Sequence, residues 1–364
     1  MSDKISFTID EDLLEGIGSI LPGEKSPISL FRGKGRQVTG DMISRIRSAG
    51  FTDTSGKVKA EYQHALDTMA HTRSFARLKF SAGEKIFEFI VYFPTDMSKP
   101  VSVIHNDSQL VVHDPMELER AFTLMDQYIG HSILASTTFN GEFAQAEALA
   151  LFALMDLERS ALLHGLADGS DPENSGFDLA PIMDRVKNPK KNFQSLEFVL
   201  QSRIILSTPP TREQIENGLE TLAGKGMVFL HGTSYRLSDS LFALISRFLI
   251  MDSFVVVETG KLDQNNTMWG GTFLSLQAGV NDLLYLEGHS EEVILKSITA
   301  AELMDLIGKC LSDPSLIAIP AQVPATTPVQ QPAAGLHEKK YCLSCGATIQ
   351  PGKKFCPQCG VKIS

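Results

Sequence analysis

The sequence predicts an α+β body, internally duplicated from winged-helix-like modules and antiparallel sheet and helix units. A proline-rich linker and a small four-cysteine module follow it. Three observations predict this arrangement. One order of helix, hairpin, helix and strands runs twice through residues 1–318. Prolines then recur every fourth residue at Pro320, Pro324, Pro328 and Pro332. Finally, Cys342, Cys345, Cys356 and Cys359 make up four of the chain's five cysteines, all in its last stretch.

At 364 residues the chain exceeds what one hydrophobic core comfortably serves. The expected divisions are a first α+β repeat over 1–140, a mainly helical connection over 141–205, a second α+β repeat over 206–316, a linker over 317–339 and the cysteine module over 340–364. In the first repeat, "TGDMISRIRSAG" places Met42, Ile43 and Ile46 on one helical face, and Gly50 stops the helix. "FTDTSGKVKA" reads as a weak hairpin around Gly56, a helix covers 60–72, and "FARLKF", "KIFEFIVYFP", "VSVIH" and "LVVHD" read as strands. A helix starting near Pro115 closes the repeat. The connection is clearest as a helix in "EFAQAEALALFALMDLERSALLHGLADG".

The second repeat follows the same plot. Thr211 with Gln214 predicts a capping box, and Ile215, Leu219 and Leu222 share one buried face. "GKGMVFLHGTSYRLS" reads as a hairpin turning at Gly232. A helix over 239–251 and the strand "FVVVE" come next, then "TMWGGTFLSLQ", "DLLYLE", "EEVILKSI" and a helix from Ala300. Trp269 is expected on a strand beside a glycine bulge. Helix, hairpin and helix in this order are the pattern of a winged helix.

Proline at every fourth position prevents regular helix and favours extended, solvated chain, so the linker tethers the last module instead of packing it. That module reads "YCLSCG", ten residues, then "FCPQCG". Two thiolates on one tight turn reach a single ion at about 2.3 Å, and two such turns complete a tetrahedron. Gly346 and Gly360 accommodate the turns, and Pro351–Gly352 reverses the chain between them. A segment of this size cannot bury enough apolar surface to fold alone, so metal binding supplies its folding energy. Four sulfurs with no open position suit one structural Zn2+ ion; an iron site of the rubredoxin kind is the chemical alternative. At these residues the tail resembles the short zinc-ribbon family, which implies zinc on Cys342, Cys345, Cys356 and Cys359.

Catalytic signatures are absent from the sequence reading. "FRGKGRQVTG" lacks phosphate-loop spacing. His64 and His71, seven apart, lack the glutamate and closer spacing of a metalloprotease helix. Asp156, Glu158 and His164 are expected on a solvated helix, and Cys310 as a buried small hydrophobe. No residue is nominated as catalytic and the protein is expected not to be an enzyme. The longest apolar run, "LFALISRFLIMDSFVVV", is broken by Arg247 and Asp252 and predicts no membrane span. The N-terminus lacks a signal-peptide pattern, and clustered cysteines suit metal binding in a reducing compartment, so a cytoplasmic location is expected.

Charge separates body from tail. The net charge is −10, yet Lys339, Lys340, Lys353, Lys354 and Lys362 share residues 339–364 with no acid. Residues 1–338 therefore hold 28 basic against 43 acidic residues, a balance of −15. Glu213, Glu216 and Glu220 give the second repeat's first helix the wrong sign for phosphate. Arg32, Lys34, Arg36, Arg45 and Arg47 form a basic cluster in the first, and "RVKNPKK" (185–191) is another. The expected function is a zinc-binding adaptor or chaperone-like protein, with the body on a protein partner and the ribbon adding a second contact. The alternative is a nucleic-acid-associated regulator using the basic ribbon and the winged-helix-like modules. Over residues 30–315 the order of elements resembles that of type VII (ESX-type) secretion chaperones. That resemblance implies a protein client with a helical tip. It carries no binding residue across, and the ribbon departs from that family's layout.

Overall fold

Period-two alternation builds the centre of the molecule. Ala76, Leu78 and Phe80 are buried, while Phe75, Arg77 and Lys79 between them are half-exposed, so one strand serves two different environments. The computed structural model describes residues 4–32, 38–82, 85–106, 108–170, 173–202, 209–279, 281–288, 292–317, 340–341 and 348–349.

The first half runs β1 (Ile5–Asp10), a short 3-10 turn, α1 (Leu14–Ile20), α2 (Gly40–Ser48), α3 (Ala60–His71), β2 (Ser74–Ala82), β3 (Lys85–Phe93), β4 (Val101–Asn106), β5 (Gln109–Asp114) and α4 (Leu118–Asp126). The second half opens with β6 (Asn140–Ala144), α5 (Gln145–Asp168), β7 (Phe177–Asp178), α6 (Leu179–Lys187) and α7 (Leu196–Gln201). It continues through α8 (Arg212–Gly224), β8 (Val228–His231), β9 (Ser234–Leu237), α9 (Asp239–Arg247), β10 (Ser253–Leu262), β11 (Met268–Gln277), β12 (Leu283–Gly288), β13 (Glu292–Ser297) and α10 (Ala300–Ser312).

Ten of these strands form one sheet in the order β1-β5-β4-β3-β2-β10-β11-β12-β13-β6, with every pairing antiparallel. Counted inward from either edge, the order is the same: first strand of the half, then its last, and back along the meander to the β2–β10 seam. The matching order therefore begins earlier than the helix–hairpin segments, at β1 and β6. Residues 140–144, at the start of the expected helical connection, form an edge strand.

Three apolar layers cover the sheet. On one face α4 and α10 pack over Leu78, Phe89, Val91, Val257 and Phe273 from both halves. They approach each other where Gly308 lies against the Phe122 ring. The opposite face has two separate layers, α1–α3 over Ile90, Tyr92, Val103 and Val112, and α5–α9 over Val256, Leu274, Leu286 and Leu295. Helix α5 is apolar around its circumference from Ala148 to Met155 because other helices enclose it.

Local signals account for the helix ends. Gln214 N donates to Thr211 Oγ1 at 3.2 Å and Thr211 N to Gln214 Oε1 at 2.8 Å, completing the capping box. Gly50, at φ +83°, follows α2, and the first expected hairpin shrinks to a single bridge between Thr52 and Val58 around Gly56. The second hairpin forms as β8–β9, with β7 as a third strand. Trp269 pairs with Lys261 in unbroken register, so there is no bulge beside it, and Gly270 instead gives room to the backbone of Thr259. Cys310 is fully buried, and burial pushes its thiol up to about 12.

Candidate partner-binding face and metal module

The register brings charges together where the two helical layers part. Arg77 stands opposite Glu258 on β10, and Lys79 opposite Glu88 on β3, which in turn faces His105 on β4. Directly paired residues share a face, so all five point between the α1–α3 and α5–α9 layers. Arg77 lies 3.3 Å from both Glu88 and Glu258, Lys79 3.3 Å from Glu88, and His105 3.2 Å from Glu88 and from Glu11. The Arg77 guanidinium also sits over the Phe75 ring.

Half-burial sharpens these interactions. Burial works against the charged form of Glu88, but the His105 hydrogen bond and the charges of Lys79 and Arg77 outweigh it and hold the carboxyl at about 2. The bond to Glu88 holds His105 above its ordinary value despite its own burial. Each charge of the row is oriented by its neighbours, which fixes the row's register.

Apolar side chains flank one end of this row. Ser81, Phe254 and Ile86 form the next cross-strand line, and Ile86 is 65% exposed. Phe193 packs against Phe254 at 6.0 Å between ring centroids and is itself exposed, as is Ile250. A buried hub on α5 holds this margin. Asp156 accepts from the Ser195 hydroxyl at 2.7 Å, from the backbone N–H groups of Leu196 and Glu197, and from Arg159 at 2.9 Å. Arg159 also donates to the carbonyls of Gln194, Phe248 and Leu249. Gln194 then exchanges two hydrogen bonds with Met251. The loops bearing Phe193 and Ile250 are thereby fastened to one helix.

Other sequence candidates fall apart or change role. Asp156 and Glu158 are buried, correcting the expected solvated helix, and only His164 is exposed. Glu158 receives Ser175 N and Gly176 N, at 3.1 and 2.7 Å, so it holds a loop. His64 contacts Asp114 at 2.7 Å and His71 the Glu24 carbonyl at 3.0 Å, so the two do not converge. Arg45 is engaged by Asp12 at 2.6 Å, and Lys34 and Arg36 lie outside the described residues. Among the described residues no group of three or more His, Cys, Asp or Glu could hold a metal, and no helix is long and apolar enough to cross a membrane. The charged row itself was missed in the sequence. Its signal was the basic residue at every second position of "FARLKF", with Glu88 and Glu258 at matching places in the partner strands.

The cysteine module is represented by β14 (Lys340–Tyr341) and β15 (Thr348–Ile349), which pair antiparallel. The four cysteines and the linker lie outside the described residues. Two Cys-x2-Cys pairs make an all-thiolate donor set, which fits zinc. A zinc ion held by these four thiolates would supply structural cross-linking.

The class the fold and the cysteine spacing define is an α+β body carrying a zinc-ribbon domain, and a family match supports the ribbon. Residues 341–362 match the zinc-ribbon domain family, a domain that binds zinc. No curated protein matches the chain in sequence. Among solved structures, the fold is similar to the Mycobacterium tuberculosis type VII secretion system chaperone EspG5, solved in complex with a PE25–PPE41 dimer. The TM-score is 0.46 at 12% identity, covering 85% of this chain and 96% of that one.

Proposed function

We propose that the protein is a non-enzymatic, chaperone-like adaptor. Its body takes a protein partner on the charged row between the two helical layers, and its tethered zinc ribbon contributes a further contact. The observation that carries this reading is the ordered row Arg77–Glu88–Glu258–Lys79–His105 beside exposed Ile86, Phe193 and Ile250. Such a mixture of oriented charge and rigidly held apolar side chains suits a protein surface. One structural Zn2+ on Cys342, Cys345, Cys356 and Cys359 folds the ribbon, and covalent tethering lets two weak contacts on one chain reinforce each other. The repeated element order supports descent of the body from a duplicated unit, with the helix–hairpin–helix segments as its winged-helix-like parts. The metal-type cysteine spacing supports the cytoplasm as its compartment.

The test places a photo-crosslinking residue at Ile86 in the full zinc-loaded chain, with and without Arg77→Glu. A discrete protein adduct that disappears in the Arg77→Glu background is expected. Adducts that survive this change, or that vanish on nuclease treatment, would overturn the reading, the latter in favour of the nucleic-acid regulator.

A further inference from the structure

Strand β8 ends the sheet β7-β9-β8, so its outer side has no strand neighbour among the described residues. Proteins usually guard such an edge with charge, proline or a covering segment. Here buried Val228 is followed by Phe229 and Leu230, 55% and 59% exposed. Successive strand residues face opposite ways, so the edge is apolar on both sides.

The surroundings of this edge are acidic. Leu230 stands opposite Tyr235 and shares its face. Helix α8 runs directly into the hairpin, Met227 N donating to the Leu222 carbonyl at 3.0 Å, and burial together with the carboxylates of Glu216 and Glu220 raises the Tyr235 hydroxyl. Glu213, Glu216 and Glu220 fall on one stripe of the helix. The nearby cations are otherwise directed: Lys225 reaches Glu147 at 2.6 Å, and Arg236 lies over Gly176 on the opposite face of the hairpin. Arg212 joins the row, 4.0 Å from Glu216.

The chain itself carries a complement. Each half of the ribbon begins with two lysines and an aromatic residue, Lys339–Lys340–Tyr341 before Cys342 and Lys353–Lys354–Phe355 before Cys356. No acid is present in 339–364. From Ile317 the intervening chain can extend about 75 Å, against a radius of gyration of about 20 Å for a body of this size. Reach is not limiting. We propose that the zinc ribbon docks on its own body, with its Lys-Lys-aromatic triplets on the free edge of β8 and the acidic row of α8. This resting position is independent of whether the sheet face takes a partner. A tether gives an effective concentration on the order of 1 mM, so a contact of about 0.1 mM intrinsic affinity stays closed roughly ten to one.

Amide hydrogen exchange on the full zinc-loaded chain tests this. Exchange over Val228–His231 is expected to be about tenfold slower in the native chain than in Lys353→Glu/Lys354→Glu. The protection is expected to be unchanged by dilution and lost at high salt. Glu213→Lys/Glu216→Lys/Glu220→Lys should remove it too, and combining both sets of reversals should restore it, which a folding defect cannot do. Equal rates in native and lysine-reversed chains would overturn the proposal. So would protection that falls on dilution, because a second copy would then be the occupant, or failure of the combined reversals to restore it.

Discussion

At the residue scale, two charged clusters have opposite uses. Asp156 is buried and accepts four donors, two of them from the start of α7, while Arg159 ties three carbonyls to the same point. Removing one member of such a pair leaves a buried charge without compensation, which costs about 3–5 kcal/mol. Asp156→Ala should lose stability of that order in a denaturant titration, with Phe193 and Ile250 released together; a loss within error of zero would refute the hub. The sheet row is instead a pH-dependent device. Glu88, held at about 2 against an ordinary 4.5, favours the folded state above its ordinary value, and that contribution fades as the pH falls toward 2. His105, held above its ordinary 6.5, favours the folded state below that value and loses its contribution as the pH rises through its folded value. The pair therefore contributes most between about pH 4.5 and 6.5. The difference in denaturation midpoint between native chain and Glu88→Gln should peak near pH 5.5 and shrink at pH 3 and pH 8. A difference constant across that range would remove the ion pair from the account.

At the element scale, close approach decides which positions tolerate change. Gly218 on α8 would bring an added Cβ to 3.1 Å from the Ala146 backbone at the start of α5, and backbone cannot step aside as a side chain can. Gly218→Val should force the two helices apart and cost about 1–3 kcal/mol, read as a lowered melting temperature, whereas Gly224→Ala, with open space around it, should be nearly silent. Neither site differs in sequence from an ordinary helical glycine, and this marks what the sequence could show. Periodicity and capping residues made the elements legible: Ile215, Leu219 and Leu222 lie buried on α8 behind the Thr211 cap as their spacing predicts. The alternation of "FARLKF" also announced a strand. What stayed hidden was pairing across long sequence distance. That Arg77 meets Glu258, and that Asp156 caps a helix beginning forty residues later, depends on the β2–β10 seam and on the enclosure of α5. Those contacts come from packing of separate segments, which no local pattern records. The cysteine pairs are the reverse case, because their spacing is wholly local in sequence.

At the scale of the whole molecule, stability is divided between two sources that do not substitute for each other. The body rests on three apolar layers against one continuous sheet. The ribbon is too short to bury a core and depends on its ion. Chelation of zinc from the intact chain should therefore release about one equivalent of metal and abolish the exchange protection of the ribbon. It should lower the melting temperature of the body by no more than a few degrees. The small remaining shift has a defined origin: a ribbon docked roughly ten to one stabilises the body by RT ln(1 + [L]/Kd), about 1.4 kcal/mol, and unfolding the ribbon forfeits that amount. Cys342→Ser, prepared with zinc present, should reproduce both effects without a chelator. Calorimetry beside metal analysis reads them together. A body that unfolds when zinc leaves would mean that the metal holds the sheet and that the division is wrong. A body transition that does not move at all, with zinc fully removed, would leave the ribbon folding on metal as argued but would separate it from the surface of β8 and α8.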